Sequence, residues 1–162
     1  MNLTELNSAP AEELEPALLA CCDVPSWAAA VSEGRPYDDV ESLVARGDEA
    51  ARRFSAADVE RALAAHPRIG ERAEGGRTEA AWSRQEQGGV ADDDRSRLVE
   101  ANRAYEERFD RVFLICATGL SGSEILAALH RRLGNDDATE AAVVADELRK
   151  IAVLRLRKLV SA

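Results

Sequence analysis

From Glu12 to Leu159 the apolar residues of this chain recur at intervals of three and four, and that period limits the fold more than any other feature. Glu12–Cys22 and Pro25–Ser32 read as short helices, the second with Pro25 near its first turn. Gly34-Arg35-Pro36 breaks the chain, and another short helix is expected after Asp38. Ser55 opens a capping box with Asp58 three residues on, and Ala56–Ala65 continues from it as a helix. His66-Pro67 stops it, because the residue before a proline is pushed out of helical geometry. Residues 66–77, rich in glycine and charge, read as a loop.

Thr78–Gln87 is helical again and closes at Gly88-Gly89. Leu98, Tyr105, Phe109, Val112 and Cys116 recur at helical multiples and predict one long helix. Residues 112–118 could equally be a short strand, since a brief apolar run matches either period. A capping box at Ser121 and Glu124 starts a helix ending at Leu133-Gly134, and a last helix runs from beyond Asp136 to about Leu159. No internal repeat or linker divides the sequence. The expectation is an all-α, single-domain bundle of seven or eight helices spanning residues 1–162.

Composition agrees with that reading. Aromatics are 4% of the 162 residues, and Ala and Leu dominate the apolar set, which favours helices over a β-sandwich. At 46% hydrophobic and 31% charged, the chain has the make-up of an ordinary globular protein. Its net charge of −9 is concentrated early: residues 1–45 hold nine acids and one base, while residues 46–89 are balanced. An acidic chain repels a polyanion, so no nucleic-acid partner is expected. No stretch approaches the roughly 20 apolar residues of a membrane span. Thr4-Glu5 and Glu12-Glu13 interrupt any signal-like run, and the expected compartment is the cytoplasm. Cys21, Cys22 and Cys116 form neither a disulfide framework nor a metal-binding pattern, and reduced thiols are the simplest account.

Three features could carry chemistry. His66 lies at the abrupt end of a helix beside the Gly-rich loop, a placement that suits proton transfer near neutral pH or a plain helix-terminal charge. Ser83, Glu86 and Gln87 share one face of a short helix, where they can surround a polar heterocycle or face solvent. Arg155 falls amid Val144, Leu148, Ile151, Ala152 and Leu159 on the apolar face of the last helix, while Lys150 and Arg157 lie opposite. A guanidinium there needs an acceptor, either a structural partner or an anionic ligand. His130, beside Arg131-Arg132 on an amphipathic helix, reads as exposed or structural. The chain carries no phosphate-binding glycine motif and no HExxH, and its two histidines make a zinc site implausible.

HPRIG at His66–Gly70 and SRQEQ at Ser83–Gln87 stand in the order and spacing of a known family. With them come Trp27 through Arg35-Pro36, FLICA at Phe113–Ala117 and KIAVLRL at Lys150–Leu156. The sequence resembles the 2-oxo-4-hydroxy-4-carboxy-5-ureidoimidazoline (OHCU) decarboxylases from about Leu14 to Leu159. One small departure is Tyr37, where the family usually has Phe.

The resemblance implies an all-α, homodimeric enzyme needing no metal or organic cofactor, which forms (S)-allantoin from a ureidoimidazoline during urate breakdown. It implies His66 and Glu86 as the catalytic pair. Pro67, Ser83, Arg84, Gln85, Gln87 and Arg155 then line the substrate pocket. Phe113, Leu114, Ile115, Cys116 and Ala117 contribute largely through main-chain groups. Two rival readings are a non-catalytic helical module using the acidic N-terminal face, and a lyase or hydrolase acting on a related ureide.

Overall fold

A computed structural model describes residues 1–69, 78–90 and 92–161, and among them the chain forms nine helices. These are α1 (Leu3–Ser8), α2 (Ala11–Cys21), α3 (Pro25–Glu33), α4 (Val40–Ala51), α5 (Ala56–Leu63), α6 (Thr78–Glu86), α7 (Asp92–Phe109), α8 (Gly122–Arg132) and α9 (Asp137–Val160). The all-α expectation holds. The six-residue α1 is the addition, and its signal was the same one read elsewhere: Asn2 and Glu5 form a reciprocal capping box. The boxes read from sequence at Ser55 and Ser121 both form, each hydroxyl accepting the N–H three residues on. Gly70 of the HPRIG motif and the rest of that loop to residue 77 lie outside the described residues.

The contacts divide into two compact units, Met1–Ala65 with Leu148–Ala162, and His66–Glu147. In the first, α3 packs on both α2 and α4, around Leu6, Leu14, Leu18, Trp27, Leu43, Leu148 and Leu156, all buried. The Trp27 indole donates to the Gly47 carbonyl at 2.9 Å. A Cβ on Gly47 would stand 2.4 Å from Leu156 Cδ1, so any larger residue there obliges the buried Leu156 side chain to shift. The Arg35 of the Arg-Pro motif proves structural. Its guanidinium donates to the carbonyls of Ser32, Leu6 and Ala9.

In the second unit α7 packs against α8. Leu98, Tyr105, Phe109, Phe113, Ile125 and Leu129 lie at the centre of its core. Here one expectation fails. The long helix does not continue to Val112 and Cys116 but stops at Phe109, and residues 112–117 form neither helix nor strand. Asp110 takes a left-handed φ of 53°, which a short polar side chain tolerates and a helix does not. The apolar run beyond it fits a helical period only because nearly every position in it is apolar.

Candidate active site

His66 and Pro67 are half-buried just past the turn that ends α5, which closes at Leu63 rather than Ala65. The two residues beyond them, Arg68 and Ile69, are tied to α7. The Asn102 amide donates to the Ile69 carbonyl at 2.6 Å from a side chain only 2% exposed. One turn further along α7, Glu106 accepts from Arg68 Nε at 2.6 Å. Ile69 itself enters the core. A histidine preceding such a doubly fastened segment has little freedom to wander, which is what directed proton transfer requires.

On α6 the spacing read from sequence produces the expected face. Ser83 is 4% and Glu86 8% exposed, with Gln87 half-buried beside them, whereas Arg84 and Gln85 are exposed. The Ser83 hydroxyl donates back to the Glu79 carbonyl at 2.9 Å, and the Ser83 carbonyl accepts the Gln87 N–H at 3.1 Å. A nine-residue helix with little apolar face thus carries a buried carboxyl side chain.

Phe113, Leu114, Ile115 and Ala117 are buried and Cys116 is half-buried. Without a ladder, this segment is held by side chains. Arg132 Nη1 donates to the Leu114 carbonyl at 2.7 Å, and Glu147 accepts the Cys116 N–H at 3.1 Å. A cleft of about 380 Å³ borders that anchored side, with Arg132 and Glu147 in its wall.

Behind the segment, Arg132 Nε and Nη2 both donate to Glu140, which also accepts from Tyr105 and Asn135. Burial opposes the charge of Glu140, but these donors outweigh it and hold the carboxyl below its usual range. Burial, with Glu140 as acceptor, drives the Tyr105 phenol well above its ordinary value. Sequence reading missed Asn102, Arg132, Glu140 and Glu147.

Arg155 belongs to the first unit. It is 2% exposed on the apolar face of α9, as its position predicted, while Lys150 and Arg157 are exposed. Its Nη1 donates to the Ala20 carbonyl at 3.4 Å, near the C-terminus of α2. Burial pushes the neighbouring Cys21 and Cys22 thiols up to about 12, against the opposing pull of the Arg155 charge. Both are therefore protonated at neutral pH and poor nucleophiles. His130 is exposed, in line with the bland reading. Among the described residues no group of three or more His, Cys, Asp or Glu could hold a metal, and no helix is long and apolar enough to cross a membrane.

The chain is similar in sequence and fold to known proteins. The family model for OHCU decarboxylase matches residues 7–157. A 2-oxo-4-hydroxy-4-carboxy-5-ureidoimidazoline decarboxylase of Amia calva is 34% identical over 141 residues, covering 84% of this chain and 81% of the relative. A uric acid degradation bifunctional protein of Bacillus sp. (strain TB-90) is 27% identical over 163 residues, which span 98% of this chain and 32% of that one. Among solved structures, a crystal structure of OHCU decarboxylase in the presence of (S)-allantoin matches at a TM-score of 0.74 and 26% identity. That match covers 95% of this chain and 100% of the other.

Proposed function

Because this chain belongs to the OHCU decarboxylase family, we propose that it decarboxylates 2-oxo-4-hydroxy-4-carboxy-5-ureidoimidazoline to (S)-allantoin in urate degradation. The observation that carries the reading is the burial of Glu86 and Ser83 on one face of α6, in the unit that also holds half-buried His66.

The substrate carries a carboxylate and a hydroxyl on one ring carbon, next to a C=N carbon. When the carbon–carboxylate bond breaks, CO2 leaves and its electron pair flows toward the C=N nitrogen, which takes up a proton. The resulting enol then gains a proton on the adjacent carbon as the hydroxyl loses its own and becomes the ring carbonyl. The substrate is its own electron sink, so the protein's task is orientation, polarisation and protonation from one face. In this reading His66 works at the hydroxyl and carboxylate end as acid–base and charge stabiliser. Glu86, Ser83 and Gln87 hold the ring nitrogens and ureido group, and Arg155 holds an anionic or carbonyl part. Pro67 shapes the turn, and the main chain of Phe113–Ala117 completes the contacts. Arg84 and Gln85, exposed on α6, receive no part in the bond-breaking step.

The same proposal includes a single functional domain acting as a cytoplasmic homodimer, with light scattering as the test of the dimer. The activity is tested by circular dichroism of urate with urate oxidase and hydroxyisourate hydrolase, with and without this protein. Rapid build-up of optically active (S)-allantoin in its presence alone is the expected result. Slow racemic product at the same rate in both samples would sink the reading.

A further inference from the structure

Arg132 and Glu140 form a buried pair of opposite charges, at 8% and 0% side-chain exposure. Such pairs are weak devices for stability. Two charges lose their hydration, and apolar residues of similar volume often serve as well or better. The arrangement around Arg132 points to another purpose. Its guanidinium lies 4.4 Å from the centre of the Phe113 ring while Nη1 donates to the Leu114 carbonyl at 2.7 Å. It therefore grips two consecutive residues, one by its face and one by its edge. Glu140 fixes the fork of the guanidinium through bonds of 2.8 and 2.6 Å. Tyr105 and Asn135 fix Glu140 in turn, at 2.6 and 3.0 Å.

Two residues past Leu114, Glu147 takes the Cys116 N–H. With hydrogen bonds at 114 and 116, the chain between them cannot rotate about its axis without breaking one. In a β-sheet the neighbouring strand sets that rotation. Here, where no strand pairs, side chains set it.

We propose that Arg132 is a positioning residue, which through Leu114 and Phe113 sets the orientation of the Phe113–Ala117 main chain toward the substrate. This rests on the functional reading above, in which that segment contacts the ligand. Lysine keeps the charge beside Glu140 but cannot reach Glu140 and Leu114 together with one fork. Arg132→Lys in the full chain is therefore expected to fold and to raise KM for the ureidoimidazoline by about fivefold or more. An unfolded population in equilibrium with the folded one also raises apparent KM, so KM is read well below the Tm of each variant, where a rise reports positioning and not simple destabilisation. Ile125→Val, a core change in the same unit, supplies the control and should shift Tm without moving KM.

An active wild type combined with an Arg132→Lys KM within about twofold of it overturns the positioning role alone. A KM rise of the same size in Ile125→Val does so too. A wild type that leaves the substrate untouched removes the functional reading and this proposal with it. Should Arg132→Lys not fold, Tyr105→Phe removes one restraint on Glu140 without disturbing either charge, and a KM identical to wild type is then the overturning result.

Discussion

Around Gly47 in the first unit, two helices touch so closely that a single methyl group would collide with Leu156. Around Leu114 in the second, irregular chain is gripped by Arg132, which Glu140 holds and Tyr105 backs in turn, all three buried. One region is a fit of apolar surfaces on regular helices, the other a set of polar restraints on chain with no regular structure to hold it. The comparison teaches where precision is placed in this protein. Apolar packing is non-directional and tolerates small shifts, whereas hydrogen bonds to named main-chain atoms fix angles. Of the segments assigned to chemistry, His66–Pro67 and Phe113–Ala117 are irregular and lie beside or within chain fastened by side chains of the second unit, whereas Ser83, Glu86 and Arg155 stand on helices.

The largest effect expected from breaking that contrast falls on turnover. His66→Asn and Glu86→Gln keep size and hydrogen-bonding shape while removing proton transfer or charge. Each is expected to lower kcat/KM by about 10²- to 10⁴-fold, with little change in Tm. Steady-state rates of substrate loss measure it, and near-wild-type turnover in His66→Asn would remove that residue from the mechanism.

Gly47→Ala probes the apolar side. Its Cβ would meet Leu156 Cδ1 at 2.4 Å, and overpacking of this kind destabilises by about 1–3 kcal/mol. Urea unfolding should show that loss, while KM of the folded fraction stays at the wild-type value. A change in KM would mean that the shift of Leu156 reaches its neighbour Arg155, the proposed substrate contact.

Much of this division was legible in the sequence, and for a physical reason. Helical period, capping boxes and the burial of Arg155 are consequences of repeating spacing, and the structure returns each of them. The same test applied more widely would have found Arg132, which shares a face with Ile125, Ala128 and Leu129, and Glu140, in register with Val144, Leu148 and Ile151. All eight are buried. What period could not reveal is that these two charges meet, because the pairing joins different helices. Nor could it end α7 at Phe109, since the left-handed turn at Asp110 is a single-residue event just before an apolar run. Asn102 was hidden for a related reason. It shares the buried face of Leu98, Tyr105 and Phe109, but its partner, the Ile69 carbonyl, lies 33 residues away in the sequence.

Acid titration sharpens the contrast further. Glu140 is held below its usual carboxyl range in the folded chain. Its contribution to stability is therefore complete above the unfolded carboxyl value of about 4.3, and is lost as pH falls through the lower folded value. The urea midpoint of the wild type should fall on acidification below about pH 4. Glu140→Gln should start lower at neutral pH and fall less steeply, since one titrating group is gone. Parallel acid limbs in the two proteins would mean that other carboxylates dominate acid unfolding.

The smallest effect is expected from a pair that looks strong by distance alone. Arg157 donates to both oxygens of Glu41, at 2.6 and 2.9 Å, yet the two side chains are 44% and 72% exposed. Water and salt screen such a pair, and holding two long side chains in one geometry offsets what attraction remains. Arg157→Ala should leave the urea midpoint unchanged within error, at low and at moderate salt alike. Arg132 makes bonds of similar length, so bond length does not separate the two arginines, and burial and what their partners hold in place do. A clear midpoint shift in Arg157→Ala that vanished at high salt would show that surface charge contributes to the first unit, and that apolar fit alone does not account for its stability.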